Sequence, residues 1–224
     1  MAPKKATRIT RWSFSRWSTY ETCAFRAKLL YLEGRKESSG PAAKRGVEIH
    51  TKAEKYLAGK PKLRLPAELK KFDKFVKALK KETTLQVEQD WAFNEGWLVT
   101  SWMDADAWLR MKLDAFYIAP GQRGVVVDWK TGKVYDKHKD QGNLYALAAL
   151  IRNPELKEVD VIFAYLDSGI KQEWNYQRTE MQELKDYWRR KTKAMLKDRA
   201  FVACPSYACR WCSFAKAVGG PCQY

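Results

Sequence analysis

The sequence lacks several features, and each absence excludes a class of protein. No apolar run approaches the roughly 20 residues of a membrane-spanning helix, so we expect no membrane protein. No repeat, low-complexity tract or Gly-x-x-x-x-Gly-Lys-Ser/Thr phosphate loop is present, which excludes an ATPase motor of that type. The odd number of cysteines, five, argues against a disulfide framework. No secretory signal is evident either, and we therefore expect a reducing cytoplasm.

Acidic side chains are scarce as well. The chain has 26 acidic and 42 basic residues, which gives a net charge of +16. Excess lysine can serve solubility alone, but here basic residues also lie beside aromatic ones, as in residues 8–17, and the chain has 10 Trp and 11 Tyr. Arginine for phosphates together with aromatic faces for bases is typical of proteins that bind single-stranded nucleic acid. We expect DNA as the partner.

Periodicity predicts an α/β fold with a mixed central sheet flanked by helices. At 224 residues the chain is predicted to form one domain over 1–224, with a disordered basic arm at 1–10. The predicted helices are 15–32, 42–57, 66–81, 137–152 and 179–199, the last one capped by Thr179. The predicted strands occupy 85–128, 159–166 and 172–178, and a cysteine module occupies 200–224.

The apolar run 125–132 is predicted to be a buried strand that ends in two charged side chains. Because side chains alternate along a strand, Asp128 and Lys130 should point to one face and Trp129 to the other. A carboxylate beside a lysine suits metal-assisted phosphodiester hydrolysis, in which the acid holds a hard cation. The alternative interpretation is a surface ion pair.

A second strand-like run, 108–116, contains Asp114. The segment 120–124 between the two runs has the Pro and Gly content of a hairpin turn. Two adjacent antiparallel strands can bring Asp114 close to Asp128. Two nearby carboxylates repel each other, which is tolerable chiefly when a cation lies between them.

Two helical segments add polar candidates. Gln141 and Tyr145 are spaced i, i+4, so they share one helical face. His50 follows Arg45-Gly46 in the predicted helix 42–57, and a histidine in that position is either a packed core residue or a nitrogen ligand. His138 lies in a charged turn and is expected to be exposed to solvent.

These motifs occur in an order that resembles a known family. They are Gly46 followed by His50, then Asp114, then Asp128-Trp129-Lys130 with Thr131-Gly132, then Gln141-x-x-x-Tyr145. From about Trp12 to Cys222 the chain resembles the RecB-type branch of the PD-(D/E)XK nuclease superfamily, in particular CRISPR-associated exonucleases and small phage nucleases. The family usually has glycine three residues before the first acid, whereas this chain has Met111.

The resemblance implies a restriction-endonuclease-like fold and a role for each residue. His50, Asp114 and Asp128 would bind Mg²⁺ or Mn²⁺. Outside the family's motifs, Glu88 is a possible additional acid near the metals. Lys130 would position the water or neutralise transition-state charge. Gln141 and Tyr145 resemble the residues on the family's helix that support this lysine and bind substrate phosphate.

The implied activity is a metal-dependent deoxyribonuclease, most simply an exonuclease on single strands or DNA ends. A structure-selective or sequence-specific endonuclease and a non-catalytic DNA-binding subunit stay open as alternatives. A helicase or recombination partner would act in trans, in the cytoplasm of a prokaryotic or phage-infected cell.

The cysteines allow two interpretations. Four of the five lie near the end of the chain, as Cys204, Cys209, Cys212 and Cys222, and they could form a local zinc site. Related nucleases instead bind a four-iron four-sulfur cluster through one N-terminal and three C-terminal cysteines. That resemblance implies Cys23, Cys209, Cys212 and Cys222 as ligands, with Cys204 left over.

Overall fold

The computed structural model describes residues 7–37, 40–59 and 63–224. The chain divides into two compact units. The cysteine unit comprises residues 1–39 and 187–224, and the sheet unit comprises residues 40–186. The prediction of a single domain over the whole chain stays a prediction.

Six helices and six strands lie within the described ranges. The helices are α1 (Phe14–Thr22), α2 (Ala24–Tyr31), α3 (Pro41–Ala58), α4 (Asp73–Leu79), α5 (Lys137–Arg152) and α6 (Met181–Lys197). The strands are β1 (Gln86–Phe93), β2 (Val99–Thr100), β3 (Leu109–Ala119), β4 (Arg123–Lys130), β5 (Glu158–Tyr165) and β6 (Ile170–Gln177). None of these helices is both long and apolar enough to span a bilayer.

The sheet unit is built on one mixed sheet, which confirms the predicted fold class. The strand order is β2-β1-β3-β4-β5-β6, and only β4 and β5 pair in parallel. Helix α5 connects these two strands as a crossover. The turn between β3 and β4 has positive φ angles at Gly121 and Gln122, the backbone conformation that hairpin turns of this kind require.

Helices α3 and α4 cover one face of the sheet with an apolar cluster. Val125, Val127 and Trp129 of β4 point into this cluster, where they meet Ile49 of α3 and Val76 of α4. All five side chains are at most 2% exposed. Burial of this kind is worth about 1.5–3 kcal/mol per large apolar side chain, so the cluster fixes the position of β4.

Helix α5 covers the opposite face and packs against β4, β5 and β6. Nine consecutive residues, 142–150, are buried within it. A side chain at Gly142 would place its Cβ 3.1 Å from the ring of Trp174 on β6, so the helix approaches the sheet closely at this point. The adjacent residue, Gln141, is thereby held near the end of β4.

The cysteine unit has an aromatic core. Trp12 stacks on Trp188 with ring centroids 5.4 Å apart, and Trp17 meets Trp188 edge-on at 5.2 Å. Ile9 is 2% exposed, so the predicted disordered arm does not extend to this residue. Residues 1–6 of that arm lie outside the described residues.

The predicted helix 15–32 is interrupted in the structure. Cys23 has an extended backbone, with φ −165° and ψ 114°, and separates α1 from α2. The prediction of one continuous helix was therefore wrong at this residue. The apolar residues on both sides keep a helical period, so the sequence pattern gives no sign of one extended residue between them. The thiol of Cys23 is turned toward the other cysteines described below.

The predicted cap of the last helix was also wrong. A 3₁₀ turn at Arg178–Glu180 precedes α6, and Gln177 caps it through a reciprocal interaction with Glu180. Thr179 lies inside this turn. The side chain of Gln177, two residues before Thr179, supplies the oxygen acceptor that a threonine hydroxyl would have supplied.

Candidate active site

The two aspartates lie opposite each other on neighbouring strands. In the antiparallel pairing of β3 with β4, Ala115 is the partner of Val127, and Asp114 and Asp128 follow as the next opposing residues. Opposing residues share a face of the sheet. The backbone N–H of Trp129 donates a hydrogen bond to Asp114 Oδ2 at 2.7 Å, which fixes this carboxylate against the end of β4.

Asp128 and Lys130 point to the same face, as strand alternation predicts. Lys130 Nζ lies 2.7 Å from Asp128 Oδ2. The Asp128 side chain is 5% exposed and that of Lys130 is 16% exposed, so this is not the exposed surface pair of the alternative interpretation. Trp129 is buried in the apolar cluster on the other face and meets Phe75 edge-on.

Gln141 and Tyr145 of α5 close a circuit with these two residues. Lys130 Nζ donates to Gln141 Oε1 at 2.7 Å, and Gln141 Nε2 donates to Tyr145 OH at 2.8 Å. The Tyr145 hydroxyl donates to Asp128 Oδ1 at 3.0 Å, and Asp128 pairs with Lys130. Every member contacts two others, so the circuit fixes both charged groups in place.

His50 and Glu88 surround Asp114 on its other side. His50 Nδ1 lies 2.9 Å from Asp114 Oδ1. Glu88 lies between Val87 and Gln89, whose partners on β3 flank Asp114. His50, Glu88 and Asp114 each offer one ligand atom within 4.8 Å of the other two. Asp128 lies outside this group of three, tied to Lys130 and Tyr145.

Glu88 has a left-handed backbone, with φ +50°, inside strand β1. A non-glycine residue rarely adopts this conformation inside a strand, and strained residues of this kind cluster at functional sites. The conformation breaks the run of paired residues between Val87 and Gln89. The sequence singled out Glu88 only as a further acid, because its backbone conformation leaves no trace in the pattern of residue types.

The carboxylates are held where their negative charge is disfavoured. Burial, followed by the charge of Asp128, raises the pKa of Asp114, although the hydrogen bond with His50 counteracts this. Burial and the Asp114 charge likewise raise the pKa of Glu88. Burial lowers the pKa of His50, but the hydrogen bond and charge of Asp114 outweigh it and raise this pKa overall. A bound cation would relieve the repulsion among the acids.

The donor set fits a hard divalent cation. Carboxylate oxygens and one imidazole nitrogen are ligands that such ions accept. Asp128 Oδ2 is buried and accepts no hydrogen bond, so its ion pair with Lys130 is its one polar contact among the described residues. His50, Glu88, Asp114 and Asp128 are therefore the residues that could hold a metal here.

Arg45, which precedes Gly46 in α3, has a structural role at this site. Arg45 forms a two-pronged ion pair with Asp167, at 2.9 and 2.5 Å. The backbone N–H of Gly132, whose φ is +101°, donates to the same carboxylate at 3.1 Å. This contact joins the first turns of α3 to the loop that follows β4, and so it orients the helix that presents His50.

His138 was expected in solvent, and this expectation was wrong. The ring is half-buried, with Nδ1 2.7 Å from the hydroxyl of Tyr165, and it packs edge-on against Phe163. The ammonium of Lys130 lies 4.4 Å from the centre of the same Phe163 ring. One sequence signal could have shown this: His138 precedes Gln141 by three residues, so both share a helical face.

We expect His138 to stay uncharged at neutral pH. Burial, then the positive charge of Lys130, lowers the pKa of His138 to about 4, against about 6.5 in an unfolded chain. Protonation below pH 6.5 therefore favours the unfolded state, and this residue's contribution to stability should fall between pH 6.5 and 4. NMR titration measures the pKa directly, and His138→Asn assigns the signal because the chain has 2 histidines.

The same variant provides the control for stability. His138→Asn should lose less stability than the wild type as the pH falls from 6.5 to 4 in thermal unfolding. A His138 ring that titrates at pH 6.5 or above would contradict the buried position next to Lys130.

The cysteine unit contains a second candidate site. All five cysteines are free and line one cavity, together with Phe25, Arg26 and Phe214. Cys23 Sγ accepts a hydrogen bond from the backbone N–H of Cys204 at 3.5 Å, and Cys209 Sγ accepts one from Ser206 at 3.4 Å. The Cys204 thiol is instead turned toward the carbonyl of Val202.

The sheet unit presents the buried Asp128, the half-buried Asp114 and Lys130 on adjacent strands, an arrangement that suits a metal-dependent nuclease. A sequence model of the PD-(D/E)XK nuclease superfamily matches residues 11–119 and 109–217. The chain belongs to this superfamily. It is accordingly a nuclease that uses divalent metal ions and acts on DNA.

Two solved structures are similar to this chain over most of its length. SSO0001 is 13% identical with a TM-score of 0.47, and the match covers 95% of this chain and 86% of that one. A protein from Eubacterium rectale, provisionally assigned as an exonuclease, is 14% identical with a TM-score of 0.48, over 93% and 90% of the two chains. These likenesses are too weak to bear on function. No curated protein sequence matches the chain.

Proposed function

We propose that this protein is a Mg²⁺- or Mn²⁺-dependent DNA exonuclease that acts on single strands or DNA ends. The observation that carries the proposal is the circuit of Asp128, Lys130, Gln141 and Tyr145 beside the group of His50, Glu88 and Asp114. An ion pair on the surface would not need the hydrogen bonds from Gln141 and Tyr145. Hydrolysis, in contrast, needs charged groups that are held in place before the substrate binds.

The residues divide the chemistry between them. A divalent ion bound by Asp114 and Asp128, with His50 and Glu88 as further ligands, would polarise the phosphodiester and lower the pKa of a water. The Lys130 ammonium would orient the attacking water or stabilise the charge on the phosphate. Gln141 holds Lys130, and Tyr145 holds Asp128 through its hydroxyl.

DNA recognition is supported by the charge of the chain. With a net charge of +16, binding should weaken steeply with salt, because each neutralised phosphate releases counterions. The chain has no phosphate-loop motif for ATP. We propose that a helicase or recombination partner in trans unwinds duplex DNA for this nuclease, in the cytoplasm of a prokaryotic or phage-infected cell.

The choice between exonuclease and endonuclease has a direct test. Linear and closed circular DNA, each single- and double-stranded, are incubated with the protein and Mg²⁺ or Mn²⁺. We expect linear molecules to be shortened while closed circles persist, since an exonuclease needs an end. Rapid conversion of circles to discrete fragments would contradict the proposal and favour an endonuclease. Omission of the metal, or its removal by EDTA, should stop all cleavage.

We further propose that the cysteine module, residues 200–224 completed by Cys23, holds a structural four-iron four-sulfur cluster. Support comes from Cys23, which lines the same cavity as the C-terminal cysteines although 181 residues separate it from Cys204. The hydrogen bonds that Cys23 and Cys209 accept suit thiolate ligands. Cys212 and Cys222 complete the set.

The two metal sites differ in composition and colour. A four-iron four-sulfur cluster contains iron and acid-labile sulfide, whereas a zinc site contains neither. Purified protein should therefore be brown and contain iron and acid-labile sulfide.

A further inference from the structure

The cysteine unit exposes an aromatic surface that neither proposed site uses. Tyr207 and Trp211 lie at the two ends of a 3₁₀ turn, with ring centroids 4.8 Å apart and an angle of 73° between the rings. The guanidinium of Arg210 lies 4.4 Å from the centre of the Tyr207 ring. We call these three residues the aromatic platform.

Exposure distinguishes the platform from the other aromatic clusters of this chain. Trp211 is 69% exposed and Tyr207 is 65% exposed. The other nine tryptophans, all among the described residues, are buried or half-buried. Tryptophan buries a large apolar area when it can, so an exposed tryptophan beside an exposed tyrosine indicates a surface that a ligand covers.

The platform is held rigidly enough to serve as a binding surface. Ser206 caps the 3₁₀ turn, with its side chain accepting a hydrogen bond from the backbone N–H of Ala208 at 3.3 Å. The turn also contains Cys209 and is followed by Cys212, both of which line the cysteine cavity. The ring positions are therefore fixed by the same short segment, which lowers the entropy lost on binding.

Charge identifies the class of ligand. Residues 199–224 contain three basic side chains, Arg199, Arg210 and Lys216, and no aspartate or glutamate. A segment with flat aromatic faces, a stacked arginine and no acidic side chain of its own suits the bases and phosphates of a single nucleic-acid strand. An apolar protein partner would not need the arginine over the ring.

We propose that Tyr207, Arg210 and Trp211 bind single-stranded DNA by stacking on its bases. The inference rests on the proposed DNA-directed function, but its evidence is independent of the catalytic residues. It assigns the platform a role in holding the strand, whereas Asp128 and Lys130 act on the phosphodiester. Stacking is tolerant of sequence, because every base has a flat face, so no sequence preference is expected from this surface.

Binding of a short fluorescent oligo-dT strand to the full-length protein, without divalent metal, tests the proposal. Trp211→Ala and Tyr207→Ala should each weaken binding about 10-fold, the lower part of the range for the loss of one stacked base. Trp211→Phe should restore most of the affinity because it keeps a ring. Val218→Ala is the matched control, since Val218 is 65% exposed in the same module but has no aromatic face.

A second measurement needs no variant. Wild-type protein is photocrosslinked to a strand that contains 5-iodouracil, and the crosslinked residue is identified by mass spectrometry. Crosslinks at Tyr207 or Trp211 support the platform. Equal affinity of wild type and Trp211→Ala, with crosslinks elsewhere, would overturn it. Failure of the nuclease proposal would look different from failure of the platform proposal. If only the nuclease proposal fails, the wild-type protein binds the strand but cleaves no DNA with Mg²⁺ or Mn²⁺.

Discussion

Asp128→Asn and Lys130→Met should each reduce DNA cleavage at least about 100-fold, the scale on which loss of one preorganised charge-stabilising group acts. The asparagine keeps the shape of Asp128 but removes the charge that a metal needs. The methionine keeps the aliphatic length of Lys130 but removes the ammonium. Alanine at either position should have the same effect on cleavage. Single-turnover cleavage of linear DNA measures the effect.

The two variants differ in their effect on metal binding, which separates their roles. Asp128→Asn should weaken the binding of Mn²⁺, measured by calorimetry, whereas Lys130→Met should largely keep it. Removing one partner of a buried ion pair leaves the other uncompensated, at a cost of about 3–5 kcal/mol. Thermal unfolding must therefore show that each variant is folded under the assay conditions.

The same sheet provides a matched control. Asp90 and Lys112 form an ion pair at 2.9 Å between β1 and β3, with side chains 44% and 64% exposed. Asp90→Asn and Lys112→Met change the same functional groups at an exposed pair, and cleavage should change little. Undiminished cleavage by a folded Asp128→Asn or Lys130→Met variant would refute the assignment of these residues.

Cys23→Ser should strip the metal from the cysteine module and destabilise the fold. A cluster that joins Cys23 to Cys209 closes a loop of nearly 190 residues, and cross-link entropy for such a loop is about 5 kcal/mol. Iron content, acid-labile sulfide and thermal unfolding measure the two effects. Cys209→Ser, Cys212→Ser and Cys222→Ser should behave like Cys23→Ser.

Cys204 provides the control within the same cavity. Its thiol is turned toward the Val202 carbonyl and is exposed, so Cys204→Ser should keep the metal and the stability. The zinc alternative makes the opposite prediction. Protein that contains one zinc and no iron, lost on replacing Cys204 but kept on replacing Cys23, would refute the iron–sulfur proposal.

Much of the fold follows from the sequence because its elements have strong periodic patterns. Helix α5 begins and ends at Lys137 and Arg152, as predicted, and β5 and β6 lie within two residues of their predicted limits. The facing positions of Asp128, Lys130, Gln141 and Tyr145 follow from the periods of strand and helix alone. Their contacts depend on packing, which brings α5 against the end of β4.

The remaining features depend on backbone angles and burial, which residue types do not specify. The extended Cys23 is a single residue between two helices, and the left-handed Glu88 is a single residue within a strand. The charged residues around His138 predict a surface segment. In the structure, the His138 ring is half-buried against Tyr165 and Phe163 of β5. The pairing of Arg45 with Asp167, 122 residues apart, is likewise a tertiary contact with no local signal.

The hydrogen-bonded circuit of Asp128, Lys130, Gln141 and Tyr145 also limits how this site can change over evolution. Each side chain contacts two of the others, so a substitution at any one removes a partner from two of them. The effects of single substitutions at these positions should therefore not add. A change at one position should be tolerated best when a second position of the circuit changes with it.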